Sequence, residues 1–227
     1  MTALTVSEAI QQRGSVRAYT DQPVSREIIE DILERARWVP SNGNLQPWKV
    51  HVLSGDKKKQ LSDAVFARMG DQPQGEETDV RIYPKGVTDP WRERRTQCGE
   101  TMYTALGIER EDKMGRLMQV AKNFAFFDAP VGMIFTVDSS MVEQQYLDVG
   151  ILLQSIMLLA QERGLGTCPQ AAWSMWPDTI RHTLGLPDSD RVVVGLAMGY
   201  VNEGDKAAHI PQARVSLNEY ASLHGFE

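Results

Sequence analysis

Cysteine is scarce in this chain of 227 residues: Cys98 and Cys168 are the only two. No C-x-x-C pair and no Cys/His cluster occurs, which excludes the common structural zinc patterns. Two cysteines at this length do not make a secreted disulfide framework. The four histidines, His51, His182, His209 and His224, form neither H-x-x-H nor H-E-x-x-H. G-x-S-x-G, the P-loop and G-x-G-x-x-G are all missing, which removes the simplest hydrolase, nucleotidase and dinucleotide-fold readings. Basic charge is not in excess. Lys+Arg number 24 against 30 Asp+Glu, a net −6. Nothing in that balance favours nucleic acid as a bulk partner, although a local basic pocket for a small anion stays open. Long apolar runs are absent too. The longest, Val149 to Ala160, is interrupted by Gln154 and Ser155 and falls short of the ~20 residues that span a bilayer. Residues 1–12 show no apolar run with a basic flank, so no signal peptide is expected. Composition thus predicts a soluble, cytoplasmic protein with no membrane or nucleic-acid partner and no metal site. Internal repeats and low-complexity tracts are lacking.

What is present reads as one domain, 1–227, with 42% hydrophobic residues available for a core. Val6 to Gln12 predicts a short helix. Val24, Ile28, Ile29, Ile32, Leu33 and Ala36 recur at helical spacing behind a Ser25 N-cap, and Pro40 stops that helix. Trp48 to Leu53, Val131 to Val137 and Arg191 to Val201 read as strands, and Lys57 to Met69 as a helix. Tyr146 to Arg163 is apolar over more than one face, which places it in a core or a subunit interface. Gly70 to Trp91 carries repeated Gly and Pro with little apolar periodicity, and reads as a long excursion between core segments. The order predicts an α+β fold around one sheet.

Three segments are candidates for chemistry. Arg13-Gly14-Ser15-Val16-Arg17 sets two guanidiniums about a hydroxyl and a glycine, suited to a phosphate or equally to a solvated turn. Pro40-Ser41-Asn42-Gly43-Asn44-Leu45-Gln46-Pro47-Trp48 offers amide and hydroxyl groups for a polar heterocycle edge, or simply makes turns. Gly164 to Trp173 reads as a glycine-punctuated loop with free backbone N–H groups, or as a helix stop followed by packing of Trp173. Cys168 has no histidine nearby in sequence to activate it as a nucleophile.

Together these segments resemble the FMN-dependent nitroreductase family, oxygen-insensitive type. The run Val193-Val194-Gly195-Leu196-Ala197-Met198-Gly199-Tyr200 is similar to the family's last core strand, and Arg214 to its terminal phosphate-binding stretch. Residues 70–107 are similar to the longer bacterial subgroup that reduces nitrobenzoates. The resemblance implies a nitroreductase-like α+β fold: a central, mainly antiparallel sheet flanked by helices, in an intertwined homodimer with FMN at the interface. It implies that Arg13, Gly14, Ser15 and Arg17 hold FMN, that Pro40, Ser41, Asn42 and Asn44 come from the partner chain, that Pro169, Gln170 and Ala171 line the flavin face, and that Arg214 reaches the phosphate. Lys122 or Asn123 would contact the flavin pyrimidine. Many members of the family it resembles carry Glu-Gly at Ala171-Ala172, a change that backbone contacts survive, and Lys at Gln212, so this chain lacks one phosphate cation there. The activity implied is NADPH- or NADH-driven, ping-pong, two-electron reduction of nitroaromatics through flavin N5, with no residue acting as catalyst beside the cofactor. Ene reduction, reductive dehalogenation, flavin reduction and a non-catalytic flavin-binding role remain open on the same scaffold. The excursion 70–107 is expected to be a lid, with Arg81, Lys85, Arg92, Arg94 and Arg95 as anchors for an acidic acceptor, or else a solvent loop.

Overall fold

The computed structural model describes residues 4–226. The first helix, α1 (Val6–Gln12), starts where Thr5 and Glu8 cap it reciprocally: the Thr5 hydroxyl accepts the Glu8 N–H and the Glu8 carboxylate accepts the Thr5 N–H, satisfying two of the otherwise unpaired donors. Helix α2 (Arg26–Ala36) begins at the expected cap, Ser25, whose Oγ accepts the Ile28 N–H. It buries Ile29, Ile32 and Ala36. Strand β1 (Trp48–Ser54) and helix α3 (Gly55–Met69) follow.

After the Gly- and Pro-rich start of the excursion comes α4 (Trp91–Leu106), which forms its second part, and then α5 (Lys113–Ala121), β2 (Val131–Asp138), α6 (Glu143–Glu162), β3 (Leu165–Gln170), α7 (Pro177–Leu184), β4 (Asp190–Tyr200) and the short α8 (Leu217–Tyr220). The four strands form one antiparallel sheet in the order β1-β2-β4-β3. Strand β2 lies inside it and is buried along almost its whole length. Its Val131, Met133, Phe135 and Val137 pack with Ile32 of α2 and Val149, Leu152 and Ile156 of α6. The intervening Ile134 faces the other layer, with Leu61 and Val65 of α3, Phe126, Trp173 and Ile180. A sheet covered on both faces accounts for the continuous apolar run of β2.

One expectation needs correction. Residues 165–170 are not a loop but strand β3, paired with β4 from Leu165–Tyr200 to Gln170–Gly195. The segment looks broken because it carries Gly166 and Pro169. Gly166 is there for close approach: a Cβ would meet Val16 Cγ2 at 2.8 Å and Val201 Cγ2 at 2.7 Å. Pro169 is tolerated because β3 is the sheet's outer strand, where a missing N–H costs no ladder bond.

Candidate active site

Residues 13–17 run extended alongside β3. Ser15 bridges to Thr167, and the Val16 N–H donates to the Thr167 carbonyl at 2.9 Å. Alternation along an extended chain sends Val16 into the core, where it is buried, and sets Arg13, Ser15 and Arg17 on the opposite face. The Arg17 guanidinium donates to the Ser15 carbonyl at 3.0 Å and lies 5.8 Å from the Phe127 ring centroid. Arg13 differs. Its Nε is buried with no hydrogen-bond partner, and its guanidinium makes no ion pair among the described residues. A buried, unpaired donor on a cation is costly and fits a site completed by an anion.

The end of β3 adjoins this strip. Gln170 is buried; its Nε2 donates to the Asn123 backbone carbonyl at 2.8 Å, and its Oε1 accepts from Trp173 Nε1 at 3.4 Å. Asn123 is therefore joined to the flavin-face candidates, whereas Lys122 points to solvent. Behind Gln170, Trp173 is fully buried, stacked on Phe126 at 4.4 Å and edge-on to Phe124 at 5.6 Å. The chain reaches this packing through three consecutive left-handed residues, Phe126, Phe127 and Asp128, with φ of 55°, 52° and 62°. Such a run is disfavoured for side-chain-bearing residues and is held by the burial of both phenyl rings. Pro169 is half-buried and Ala171 exposed.

Cys168 lies in the same strand with both arginines near enough to favour its thiolate. Burial outweighs them and pushes the thiol up to about 11. It is packing, not a nucleophile.

The second segment stands apart. Residues 42–46 are exposed and hang from α6, where the Asn42 N–H donates to Asp148 Oδ1 at 3.1 Å. The Ser41 hydroxyl accepts the Gln46 N–H at 2.9 Å and shapes the turn. No hydrogen bond joins this loop to the Arg13–Arg17 strip among the described residues. Arg214 is not brought to Arg13 or Arg17 by any hydrogen bond in one chain either. Its guanidinium donates to the carbonyls of Gln212 and Ala213, and Gln212 donates to the Cys98 carbonyl of α4. Two of the excursion's five expected anchors are already neutralised: Arg92 pairs with Asp89, and Arg94 pairs with Glu219 at 3.1 Å.

Two residues at these sites were not anticipated. Asp148 is buried with Oδ2 unpaired; a lone carboxylate within the apolar stretch around α6 was its only signal. Glu76 of the excursion is bound to α7, and nothing in its neighbours announces it.

The chain is 36% identical over 218 residues to a 4-nitrobenzoate reductase of Pseudomonas putida, covering 96% of this chain and 95% of that protein. It is 34% identical over 222 residues to a chloronitrobenzene nitroreductase of Comamonas testosteroni, covering 98% of each. Its fold superposes with a TM-score of 0.96 on the crystal structure of the FMN- and NADPH-dependent nitroreductase NfnB from Sphigopyxis sp. strain HMH, at 43% identity over 98% of this chain and 100% of that one. Residues 10–200 match the family model described as the nitroreductase family, and this chain belongs to that family.

Proposed function

We propose that this chain is an FMN-dependent NAD(P)H oxidoreductase that reduces nitroaromatic compounds. The observation that carries the reading is the strip of Arg13, Ser15 and Arg17 beside Gln170, with Arg13 Nε buried and unpaired. A phosphate monoester bears a charge of about −1.5 to −2 and three acceptor oxygens, which matches two guanidiniums and a hydroxyl on one face. The relatives named above supply the redox chemistry that this donor set alone does not specify.

Arg13, Ser15 and Arg17 would hold the phosphate of FMN, with Gly14 allowing close backbone approach. Pro169, Gln170 and Ala171 would border the ring system, and Asn123, locked to Gln170, would present its polar edge there. When bound, FMN supplies two-electron redox chemistry between a nicotinamide donor and a nitroaromatic acceptor. The protein's part is placement and field. Two cations near the site favour an electron-rich cofactor, and Trp173, packed against Phe124 and Phe126, donates its indole N–H to Gln170 Oε1. No side chain is required as a nucleophile, in keeping with the inert Cys168.

The reading includes a homodimer. Leu147 and Ile151 of α6 are 63% and 41% exposed, and Val6 and Ile10 of α1 are exposed as well. Apolar side chains left in water on packed helices mark a surface made for a partner. A second copy would also bring Pro40, Ser41, Asn42 and Asn44 to a site with which they share no hydrogen bond within their own chain among the described residues, and would carry Arg214 on its tail. Two unlinked cysteines suit a reducing compartment, and the cytoplasm is the location this reading assigns. The test is steady-state NADPH oxidation by the FMN-loaded protein with 4-nitrobenzoate, with identification of the product. Acceptor-dependent oxidation yielding a hydroxylamine supports the reading. NADPH oxidation that ignores the nitroaromatic overturns it.

A further inference from the structure

The excursion after α3 does not float free. Its first turn is clasped to the body chiefly by the Glu76 carboxylate. The Glu76 side chain is only 3% exposed. Its Oε2 accepts the N–H groups of Asp178 at 2.8 Å and Thr179 at 3.1 Å, the first turn of α7, and its Oε1 accepts the Thr179 hydroxyl at 2.5 Å. Arg68 stands 3.4 Å away and balances the charge. The backbone joins in: the Glu76 N–H donates to the Met175 carbonyl at 2.8 Å. Gly75 permits this contact with a φ of +80°, and a Cβ there would lie 2.8 Å from that same carbonyl. Three residues on, Asp79 pairs with Arg181 at 2.7 Å.

The far end is fixed separately. Leu106, at the end of α4, packs with Ala18, Ala207 and Ala208 beside the Arg13–Arg17 strip. Between the two attachments, the Arg95 guanidinium sits 4.0 Å from the centroid of an exposed Tyr83 ring. The excursion thus runs from the turn that follows Gln170 and Ala171 to the strand that carries Arg17. Its two attachments fall on the segment that follows Gln170 and on the one that follows Arg17.

We propose that Glu76 is a positioning residue for the acceptor. Its carboxylate pins residues 75–79 against Met175–Thr179 and so fixes the rim over which a planar acceptor enters. This rests on the nitroreductase reading above. A carboxylate suits the task because it accepts several N–H and O–H bonds at once and complements the positive end of α7. Glutamine in its place keeps one acceptor oxygen but turns an NH₂ toward donors.

The test uses FMN-loaded protein carrying E76A, E76Q or Thr179→Val. Three quantities are read: hydrogen exchange over residues 75–90 and 171–179, the anaerobic rate of flavin reduction by NADPH, and kcat/KM for 4-nitrobenzoate. In E76A, exchange over 75–79 should rise at least ~10-fold and kcat/KM for the acceptor should fall at least ~5-fold. FMN content and reduction by NADPH should stay within about twofold of wild type. E76Q should fall between. T179V, which removes one donor, should show the same split at smaller amplitude, and carries the test should E76A fail to fold. Unchanged exchange, an unchanged acceptor kcat/KM, or an equal fall in both half-reactions would each overturn the proposal. A wild-type enzyme inert toward nitroaromatics would overturn the functional reading and this inference with it, whereas an active wild type with no split in the variants refutes the clasp alone.

Discussion

Replacing Arg13 by alanine separates ligand binding from folding more cleanly than any other change in the strip. The guanidinium makes no ion pair within the described chain and its Nε has no partner. What Arg13 gives the fold is its backbone N–H, donated to the Ala9 carbonyl at 3.0 Å at the end of α1, and alanine keeps that bond. A charge-assisted hydrogen bond contributes about 1.5–3 kcal/mol. At about 1.4 kcal/mol per tenfold, the Kd for FMN should rise by roughly 10- to 150-fold, while the melting temperature of the apo-protein moves little. The assay is titration of apo-protein with FMN, followed by quenching of flavin fluorescence. Lysine at the same position keeps the charge but not the fork and should lie between. Wild-type affinity should also weaken more steeply with salt than that of the variant, because the lost contact is ionic. A variant whose Kd stays within about twofold of wild type would refute the assignment of Arg13 to the phosphate.

Three further outcomes are expected. A thiol reagent should label Cys98 in the folded protein and reach Cys168 only after unfolding, since Cys98 is exposed while the Cys168 thiol is buried and pushed up to about 11; equal, prompt labelling of both would contradict the packing described. Burial holds His51 below its ordinary value of 6.5, so below that pH the unfolded chain binds more protons than the folded one and stability falls on acidification. Thermal melts from about pH 7.5 to about pH 5.5 should show a smaller loss for His51→Gln than for wild type, and equal losses would assign the acid sensitivity elsewhere. Leu147→Glu combined with Ile151→Glu places charge on the exposed apolar face of α6; sedimentation should show dissociation together with loss of FMN, and a flavin-loaded dimer at low micromolar concentration would exclude that face from the interface.

Helices α2, α3 and α6 and strands β1, β2 and β4 were legible in the sequence, whereas α5 and α7 were not, although α7 buries Ile180. Ser25 opens α2 as its hydroxyl suggested, and β1, β2 and β4 fall where β-branched and aromatic residues cluster. Strand β3 was not legible. Its glycine and proline answer to a neighbour, Val16, and to an outer position in the sheet, neither of which leaves a local mark. Helix α4 shows no apolar period for the opposite reason: it buries no residue within its own chain, and only its cluster Arg92, Arg94 and Arg95 reads as a solvated helix face. Arg13 and Arg17 stood out by residue type and spacing as a candidate anion site or a solvated turn, and the family resemblance is what pointed them at FMN. Glu76 and Asp148 did not stand out. Each acts through a backbone donor roughly a hundred positions away, at Asp178 and Asn42, and a glutamate within a polar excursion looks like any solvated charge.

The central claim is that this chain binds FMN at the Arg13–Arg17 strip and passes electrons from NAD(P)H to a nitroaromatic. Its most direct test is an anaerobic double-mixing experiment on the protein as purified. NADPH is added first, and 4-nitrobenzoate follows once the nicotinamide is consumed. A yellow protein carrying one FMN per chain, bleached by NADPH and restored by the nitroaromatic without oxygen, is the result predicted. A colourless protein that FMN does not reconstitute, or a bleached one that 4-nitrobenzoate leaves bleached, would contradict it.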